Sequence, residues 1–443
     1  MPKRNIAWML VIVLIALLFW KLPSTVARRD EVYRTLGTLV DIRREILRSY
    51  VEDVDEAELT RGAIEGMLHR LDHYSTYFPP ELMSELKRAT TGNYGGIGVE
   101  IGMKDGWLTV MTPMDDTPAF RAGLLAGDRI VEIEGKSTKG LSMQDAVKTL
   151  TGKPGTTVTI TVKHEFENKV REITLARAVI KIVSVKGWER NATNGWDYMI
   201  DPDEKIGYVR IVKFMPGTVE ALDKAVNQAR SEGMKALILD LRWNPGGLLE
   251  SAIGVTDRFL AGGVIVSTKG RWSQKKDSEA KREGTYPEFP LAVLVNGYSA
   301  SAAEIVAGAL RDHKRAVVIG ARTFGKGSVQ NVIRLEDGQG AIKLTTAYYY
   351  LPNGSCIHRS ERADENAKWG VEPLIEVNLT KEERYKASIS RYQADIIRPT
   401  TQPTTTQAIR PHPVIDRQLD QALNSLKAVL NVTAADRAIR KAG

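Results

Sequence analysis

Three short segments hold the residues whose types and spacing could do chemistry: residues 240–247, 296–304 and 324–330. Ser301 stands at the predicted start of a helix, and Lys326 follows 25 positions later between two glycines. A serine hydroxyl is a weak nucleophile until a neighbouring group takes its proton, and a lysine amine can take it when burial lowers the lysine pKa. Backbone N–H groups at the start of the helix would stabilise the negative charge that develops on the tetrahedral intermediate when the serine attacks. The pair could therefore support nucleophilic catalysis.

Each of these features also has a simpler interpretation. Ser301 and Glu304 fit a capping box, in which the serine does no more than cap its helix. Residues 320–326 match a Walker A phosphate loop until Gly327, which stands where a Ser or Thr would bind magnesium. The chain after Gly327 is predicted to be β-rich rather than helical, so nucleotide binding is disfavoured. None of the six histidines lies in a Gly-x-Ser-x-Gly context, so no histidine-based hydrolase site is expected.

All three segments belong to a stretch in which predicted strands and helices alternate. The predicted strands are 206–212, 236–241, 264–267, 292–295 and 316–319, the helices are 219–231, 248–260 and 302–311, and residues 328–350 are β-rich. Such alternation is typical of a mostly parallel α/β sheet with crossover helices. Ligands bind such sheets at the carboxyl ends of the strands. We therefore expect the site at that edge of the sheet.

Residues 92–177 have a different character, with five short predicted strands, one short helix at 142–149 and frequent Gly, Pro and Asp. They resemble a PDZ domain in three motifs: GGIGV, TPA followed by AGL, and GDRI. The glycines of the first motif would let successive N–H groups converge on the terminal carboxylate of a peptide that adds to the sheet as a strand. The residues expected to bind peptide are Gly95, Gly96, Ile97, Gly98 and Val99. In the simpler alternative, these glycines only form tight turns.

Taken together, the three active-site segments, the PDZ-like region and the closing residues 370–373 resemble the carboxyl-terminal processing proteases, also called tail-specific proteases. The resemblance covers nearly the whole chain and implies an α/β protease core with an inserted PDZ domain. It implies a serine endopeptidase that cuts extracytoplasmic proteins near their C-termini, with the PDZ domain capturing an unstructured, apolar carboxyl end. Because the PDZ domain interrupts the chain between the helical lead region and the core, we also expect it to gate the protease. The roles that the resemblance implies are a nucleophile at Ser301, a general base at Lys326, an orienting amide at Gln330, and oxyanion-hole N–H groups at Ala302 and at Gly246 or Gly247.

Some positions depart from the family pattern, and the departure nearest the site is Trp243, where Asn is more usual. None of them replaces a residue with a predicted catalytic role, although Trp243 could reshape the pocket beside the oxyanion hole. The alternative to an enzyme is a scaffold that keeps the PDZ domain and the fold but has lost proteolysis.

The N-terminus carries the only membrane candidate, an apolar run over residues 6–22 that follows Lys3 and Arg4. A run of this length spans about 25 Å as a helix, which just suffices for a hydrocarbon core. Basic residues before the run favour a cytoplasmic N-terminus, with the bulk of the chain periplasmic or at the cell surface. An uncleaved anchor is favoured over a signal peptide because residues 24–27 fit a cleavage site only loosely. If the segment is cleaved, the chain is secreted.

The composition excludes several other classes of protein. The 443 residues include one cysteine, Cys356, which can form no internal disulfide and no cysteine-based metal site. The net charge is +8, but basic residues alternate with acidic ones, so we expect no nucleic-acid partner. His69 and His73 lie four apart without the surroundings of a metal motif, and no metal or cofactor is expected.

These patterns predict five consecutive regions. They are a signal anchor (1–27), a helical lead region (28–91), a PDZ domain (92–177), a protease core (178–380), and a linker with a helical C-terminal tail (381–443). The helical termini offer surfaces through which the chain could form a homo-oligomer.

Overall fold

The computed structural model describes residue 8 and residues 36–83, 93–114, 116–125, 127–163, 170–181, 183–191, 193, 195–359, 368–396 and 416–442. The chain divides into two compact units, Met1–Tyr77 and Phe78–Gly443. The predicted anchor, residues 1–27, lies outside the described residues apart from Trp8. Within the ranges given, no helix has the length and apolar character needed to cross a membrane.

The first unit is mainly helical where it is described. Residues 36–49 form one helix, and α1 (Glu56–His69) follows it. Asp55 caps α1, because its carboxylate accepts the N–H groups of Ala57 at 2.7 Å and Glu58 at 3.2 Å. Several large apolar side chains of this unit are exposed, namely Leu36, Leu39, Val40, Ile42, Leu47 and Met67. The unit boundary falls within β1 (Thr76–Phe78), and a short 3₁₀ helix, Pro80–Leu82, follows.

The PDZ-like region forms an antiparallel sheet with short helices. Its elements are β2 (Asn93–Gly96), β3 (Val99–Lys104), β4 (Trp107–Pro113), α2 (Pro118–Arg121), β5 (Arg129–Ile133), β6 (Lys136–Ser137), α3 (Met143–Leu150), β7 (Thr157–Lys163), β8 (Val170–Ala176) and β9 (Ala178–Lys181), which pairs with β2. The strand order in the sheet is β3-β4-β5-β7-β8, with β6 paired to β5, so β3 lies at the edge. The core is closed by alternating residues of the strands and by α3, whose Ala146 and Leu150 are buried.

The predicted protease core, residues 178–380, is built on a seven-stranded sheet whose central strands are parallel, as predicted. Its elements are β10 (Val185–Lys186), β13 (Met199–Asp201), β14 (Ile206–Ile211), α4 (Thr218–Ser231), β15 (Ala236–Asp240), α5 (Leu249–Asp257), β18 (Leu291–Val295), α6 (Ala302–Asp312), β19 (Val317–Gly320) and β22 (Ile375–Glu376). Strands β14, β15, β18, β19 and β22 are successive parallel neighbours, and β10 and β13 pair antiparallel with β14. Helices α4, α5 and α6 bury their apolar faces against one side of this sheet.

One predicted strand of the core leaves the parallel sheet. Strand β16 (Val264–Gly270) lies in a second, antiparallel sheet between β17 (Lys276–Glu279) and β21 (Ala341–Tyr350). Strand β20 (Ser328–Arg334) pairs with β21, and a 3₁₀ helix, Glu336–Gly338, lies between them. A small hairpin joins β11 (Glu189–Arg190) to β12 (Trp196–Asp197). Strand periodicity does not specify a pairing partner, so the sequence could not assign β16 to this sheet.

The C-terminal region packs on the core rather than trailing from it as a tethered tail. It contains two helices, α7 (Lys381–Asp395) and α8 (Arg417–Ala442). The buried side chains of Leu419, Ala422 and Leu426 in α8 pack against the face of the parallel sheet opposite α4, α5 and α6. A sheet buried on both faces needs such a cover, because its strands are apolar on both sides.

Candidate active site

The loops that follow β15, β18 and β19 meet at the carboxyl ends of these three neighbouring strands. The Ala300 N–H donates to the Asn244 carbonyl at 2.9 Å, which joins the first loop to the second. The Phe324 N–H donates to the Ser299 carbonyl at 3.0 Å, which joins the third loop to the second. The three predicted segments therefore form one site at the predicted edge of the sheet.

Ser301 lies at the N-cap of α6 in a backbone conformation that few residues with a Cβ adopt. Its φ is 55°, and its side chain is largely buried in the loop cluster. Such a conformation costs about 1–3 kcal/mol and persists only where the surroundings hold it. The Ser301 N–H donates to Glu304 Oε2 at 2.8 Å, so the predicted capping-box partner is present. This hydrogen bond fixes the Ser301 backbone at the helix N-terminus.

The carboxylate of Glu304 accepts hydrogen bonds from both halves of the predicted catalytic pair. Its Oε2 accepts the backbone N–H groups of Ser301 and Lys326, each at 2.8 Å. Its Oε1 accepts the Thr323 hydroxyl at 2.5 Å and the Gly325 N–H at 2.7 Å. The side chain is completely buried, and burial raises the pKa of Glu304 while these four hydrogen bonds oppose the rise. One buried group thus fixes the Ser301 backbone beside the Lys326 backbone.

Thr323 extends this cluster to the closing segment 370–373. Its hydroxyl accepts the Val371 N–H at 2.7 Å, and its own N–H donates to the Val371 carbonyl at 3.2 Å. Thr323 is fully buried. The closing segment therefore supports the Glu304 carboxylate from the side away from Ser301.

Lys326 is half-buried, and its environment favours the neutral amine. Burial lowers the pKa of Lys326, the nearby charge of Lys343 lowers it further, and the charge of Glu304 opposes both effects. A lysine with a lowered pKa is neutral in a larger fraction of molecules near neutral pH. This is the protonation state that a general base requires.

Gln330 lies in β20, four residues after Lys326. Its Nε2 donates to the Ser328 carbonyl at 3.1 Å and to the Ser328 hydroxyl at 2.8 Å, with a longer contact of 3.4 Å to the Thr345 hydroxyl. These bonds fix the amide through its nitrogen. Its carbonyl oxygen is the atom that could accept from the Lys326 ammonium group, so the orienting role of Gln330 stays a prediction.

The two loop glycines proposed for the oxyanion hole differ in their hydrogen bonding. The Gly246 N–H donates to Asn244 Oδ1 at 2.8 Å, whereas the Gly247 N–H has no acceptor among the residues that the structure describes. Gly246 packs directly on the loop that carries Ser301. A Cβ at Gly246 would lie 2.7 Å from Ser301 Cβ and 3.0 Å from the Ala302 nitrogen. With a φ of 97° as well, this position requires glycine. Gly247 is therefore the better partner for the Ala302 N–H.

Sequence reasoning missed three polar residues that connect the loops. Asn244 Nδ2 donates to the Ile211 carbonyl at 2.7 Å, and Asn296 Oδ1 accepts the Trp243 N–H at 3.1 Å. The hydroxyl of Ser299 donates to the Leu241 carbonyl at 2.8 Å. Asn244, Asn296 and Ser299 are all buried. The only sign of their role in the sequence is that each is a polar residue just after an apolar strand.

The PDZ-like region has a narrow cleft between its edge strand β3 and α3. The cleft encloses about 80 Å³ and is lined by Tyr94, Ile97, Gly98, Val99, Ile101, Val147, Leu150 and Thr151. In the described part of the chain, the Ile97 and Gly98 N–H groups have no acceptor. Gly98 packs so closely that a Cβ would lie 2.3 Å from Thr117 Cβ. An open sheet edge beside such N–H groups can bind an extended peptide and its terminal carboxylate.

The five predicted peptide-binding residues divide into two groups. Ile97, Gly98 and Val99 line the cleft, whereas Gly95 and Gly96 lie in β2 and pair with β9. The second pair therefore supports the loop from behind rather than lining the cleft.

This geometry supports acyl transfer by a serine hydroxyl. It combines a serine held at a helix N-terminus, a lysine with a lowered pKa on the neighbouring loop, and backbone N–H groups beside the serine. Such donors stabilise the negative charge of a tetrahedral intermediate. A separate cleft suited to a peptide terminus lies in the same compact unit.

Comparisons with known proteins agree with this arrangement along most of the chain. Residues 205–377 match the sequence profile of Peptidase family S41, residues 95–176 match that of a PDZ domain, and residues 23–81 match that of the activating protease CtpB N-terminal domain.

The similarity to individual proteins is also extensive. The chain is 40% identical over 367 residues to a carboxy-terminal-processing protease of Bartonella bacilliformis, and the alignment covers 82% of this chain and 79% of that protein. It is 32% identical over 337 residues to the carboxy-terminal processing protease CtpA of Bacillus subtilis, and that alignment covers 76% of this chain and 67% of the relative. A solved structure of a photosystem II D1 C-terminal processing protease is 29% identical, with a TM-score of 0.44, over 76% of this chain and 92% of that chain.

Proposed function

The chain belongs to the carboxy-terminal-processing proteases of peptidase family S41, and on that premise we propose that it cleaves extracytoplasmic proteins near their C-termini through a Ser301–Lys326 pair. The observation that carries this proposal is that one oxygen of the Glu304 carboxylate, Oε2, accepts the backbone N–H groups of both Ser301 and Lys326. This shared acceptor holds the Ser301 backbone beside the Lys326 backbone, which supports their assignment as a pair.

The proposed reaction proceeds through an acyl-enzyme. Ser301 Oγ attacks the scissile carbonyl carbon while neutral Lys326 Nζ takes its proton. The carbon–nitrogen bond then breaks, and the lysine returns the proton to the leaving amine. In the second half, a water molecule gives its proton to Lys326 and attacks the Ser301 ester, and the ester breaks to release the new carboxyl terminus. Ser301 regains its proton from the lysine.

We assign the oxyanion hole to the N–H groups of Ala302 and Gly247. Ala302 is the first residue of α6, so its N–H has no partner within the helix. The Gly246 N–H is already bonded to Asn244, which leaves Gly247 as the loop donor. Each such donor contributes roughly 10²- to 10³-fold to the turnover of serine proteases.

The PDZ domain is proposed to capture the substrate before cleavage. An unstructured C-terminus would add as a strand to β3, with its carboxylate at the Ile97 and Gly98 N–H groups. The cleft is lined mainly by apolar side chains, so an apolar carboxyl end is the expected ligand. Occupancy of the cleft is also proposed to switch the protease between inactive and active arrangements.

Product mapping tests this function. The full-length chain, purified in mild detergent, is incubated with an unfolded protein that ends in apolar residues, and the products are identified by mass spectrometry. We expect cleavage near the free C-terminus and much slower cleavage of the same protein with an amidated C-terminus. Tail binding with no cleavage of either protein would contradict the enzyme and support the scaffold alternative.

The pH profile provides a separate prediction, because only neutral Lys326 can act as the base. Activity should rise with pH through the Lys326 pKa, which burial and Lys343 hold below the ordinary value. Lys343→Met removes a positive charge, so the Lys326 pKa should rise and the acidic limb of kcat/KM should move to higher pH by up to about one unit. Lys343→Arg keeps the charge and should leave the limb in place. Equal shifts in both variants, or none in the methionine variant, would contradict the role of Lys326.

We also propose that residues 1–27 anchor the chain in a membrane, with the bulk outside the cytoplasm. Retention in the membrane fraction after a high-pH wash, and digestion by protease added to spheroplasts, test the anchor and its orientation. Release by the wash would favour a cleaved or peripheral form.

The exposed apolar side chains of residues 36–49 support self-association through the helical lead region, which sedimentation of the detergent-solubilised chain would test.

A further inference from the structure

Helix α7 ends between the PDZ domain and the active-site loops, and two consecutive residues contact the two parts. Tyr392 Oη donates to the Met111 carbonyl of the PDZ strand β4 at 2.6 Å. Arg391 Nη1 donates to Asp240 Oδ2, at the end of core strand β15, at 2.8 Å. Consecutive helical side chains point about 100° apart, so one turn of helix can reach both partners.

The PDZ contact falls on an irregular point of the sheet beside the peptide cleft. The pairing of β3 with β4 shifts between Glu100 and Ile101, so Met111 is the extra residue of a β-bulge. Its carbonyl accepts from Tyr392, and its side chain packs on Gly102 of β3, where a Cβ would lie 2.8 Å from the sulfur. Strand β3 is the edge to which a peptide would add. A peptide that straightens or shifts β3 would therefore also move Met111, whose side chain packs on that strand, and with it the carbonyl that Tyr392 contacts.

The core contact falls on Asp240, the first residue of the oxyanion loop, as we call residues 240–247, which carry the proposed glycine donor. Asp240 is completely buried and accepts from Arg391, from the Tyr208 hydroxyl at 2.7 Å and from the Arg242 side chain at 2.8 Å. It also accepts the Arg242 backbone N–H at 2.9 Å, which fixes the turn that leads to Gly246 and Gly247.

Arg391 contacts this loop at a second point. Its guanidinium lies 4.8 Å from the centre of the Trp243 ring, which Arg242 also approaches at 5.4 Å. Trp243 has a φ of 58°, so the loop is held in a strained conformation at this residue. The Trp that departs from the family pattern thus packs between two arginines beside the oxyanion loop.

The end of α7 is fixed to the core one turn later. Asp395 accepts from Lys186 at 2.6 Å and also pairs with Arg210. These ion pairs hold the last turn of α7 rigid, so a displacement at Tyr392 is passed to the adjacent Arg391.

We propose that Arg391 and Tyr392 are positioning residues that transmit occupancy of the PDZ cleft to the oxyanion loop 240–247. This inference rests on the proposed function, because it names the route by which the captured tail regulates the same active site. The effect of the two side chains is on the arrangement of the loop that presents the Gly247 N–H.

The test separates stimulation from basal activity. The full-length chain hydrolyses a short chromogenic peptide with a blocked C-terminus, with and without an uncleavable apolar peptide that has a free carboxylate. In the native protein, the tail peptide should shift the population towards the active arrangement and so raise kcat by about 5- to 150-fold, the range that coupling between two binding sites usually spans. Tyr392→Phe removes only the hydroxyl and should bring this ratio towards one, with basal kcat changed less than three-fold. The matched control is Tyr385→Phe, on an exposed position of the same helix, which should keep the native ratio.

Arg391→Lys provides the second variant. It keeps the charge but loses the planar fork, so it should lower kcat in both conditions and leave KM nearly unchanged. Melting temperatures are measured for all variants so that a loss of folding is recognised. A Tyr392→Phe variant that is stimulated as strongly as the native protein would overturn this inference while leaving the proposed function intact. Absence of any hydrolysis by the native protein would instead overturn the proposed function.

Discussion

Ser301→Ala and Lys326→Met should each lower kcat by at least about 10⁴-fold on an unfolded protein substrate, because each removes a group that the acyl transfer cannot replace. The affinity for a C-terminal peptide should change less than two-fold, since neither residue lines the PDZ cleft. Activity is measured by product mass spectrometry, and tail affinity by the polarisation of a labelled peptide. The control Lys224→Met changes an exposed lysine on α4 and should retain native turnover.

The double variant makes this prediction sharper. Residues that act as one unit are non-additive, so Ser301→Ala with Lys326→Met should be no slower than either single variant. Losses that multiply would mean that the two residues contribute independently. Retained turnover in either single variant would remove that residue from the mechanism.

Glu304→Gln should cause the second-largest loss, a fall in kcat of about 10²-fold, because a misplacement of the reacting groups by about 1 Å costs that much. An amide has one oxygen and one NH₂ group, so its nitrogen must face hydrogen-bond donors at one end of the cluster. Either the Ser301 and Lys326 N–H groups or the Gly325 N–H then lose their acceptor. A buried donor without an acceptor costs about 1–3 kcal/mol, so the melting temperature should fall as well.

A pH profile distinguishes this positioning role from a merely structural one. The negative charge of Glu304 raises the pKa of Lys326, so its removal should move the acidic limb of kcat/KM to lower pH. That shift is opposite in sign to the one expected for Lys343→Met. The matched control is Glu383→Gln, which changes the same capping-box residue at the start of α7, far along the chain from Ser301. A Glu304→Gln variant with native kcat and an unmoved limb would contradict the role of the carboxylate.

The parts of the site that local sequence determines were predictable. Each active-site segment joins the end of an apolar strand to glycines or to a helix start, and both signals depend on neighbouring residues alone. The same is true of GGIGV in the PDZ region, where the close packing of Gly98 on Thr117 requires a glycine. The capping box also predicted that Glu304 lies beside Ser301.

The rest depends on contacts between residues far apart in the chain. Glu304 accepts from Thr323 and Lys326 as well as from Ser301, and no periodicity connects residues about 20 positions apart. The ion pairs of Asp240 with Arg391 and of Arg242 with Asp416 join residues 151 and 174 positions apart.

These distant ion pairs explain why the sequence predicts a tail where the structure has helices packed on the core. Charged residues in a polar segment usually indicate a solvated surface, but Arg391 and Asp416 are paired with buried partners. Only the folded chain reveals that pairing. For the same reason, sequence patterns alone could not reveal a path from the PDZ cleft to the oxyanion loop.

The most direct test of the catalytic assignment is to trap the acyl-enzyme. The full-length chain is mixed with an activated ester that acylates faster than it is hydrolysed, quenched in acid, digested and analysed by mass spectrometry. We expect one acyl group on the peptide that contains Ser301, which is lost in Ser301→Ala and strongly reduced in Lys326→Met. An acyl group on another residue, or one that persists on the Ser301→Ala protein, would contradict the assignment of Ser301 as the nucleophile.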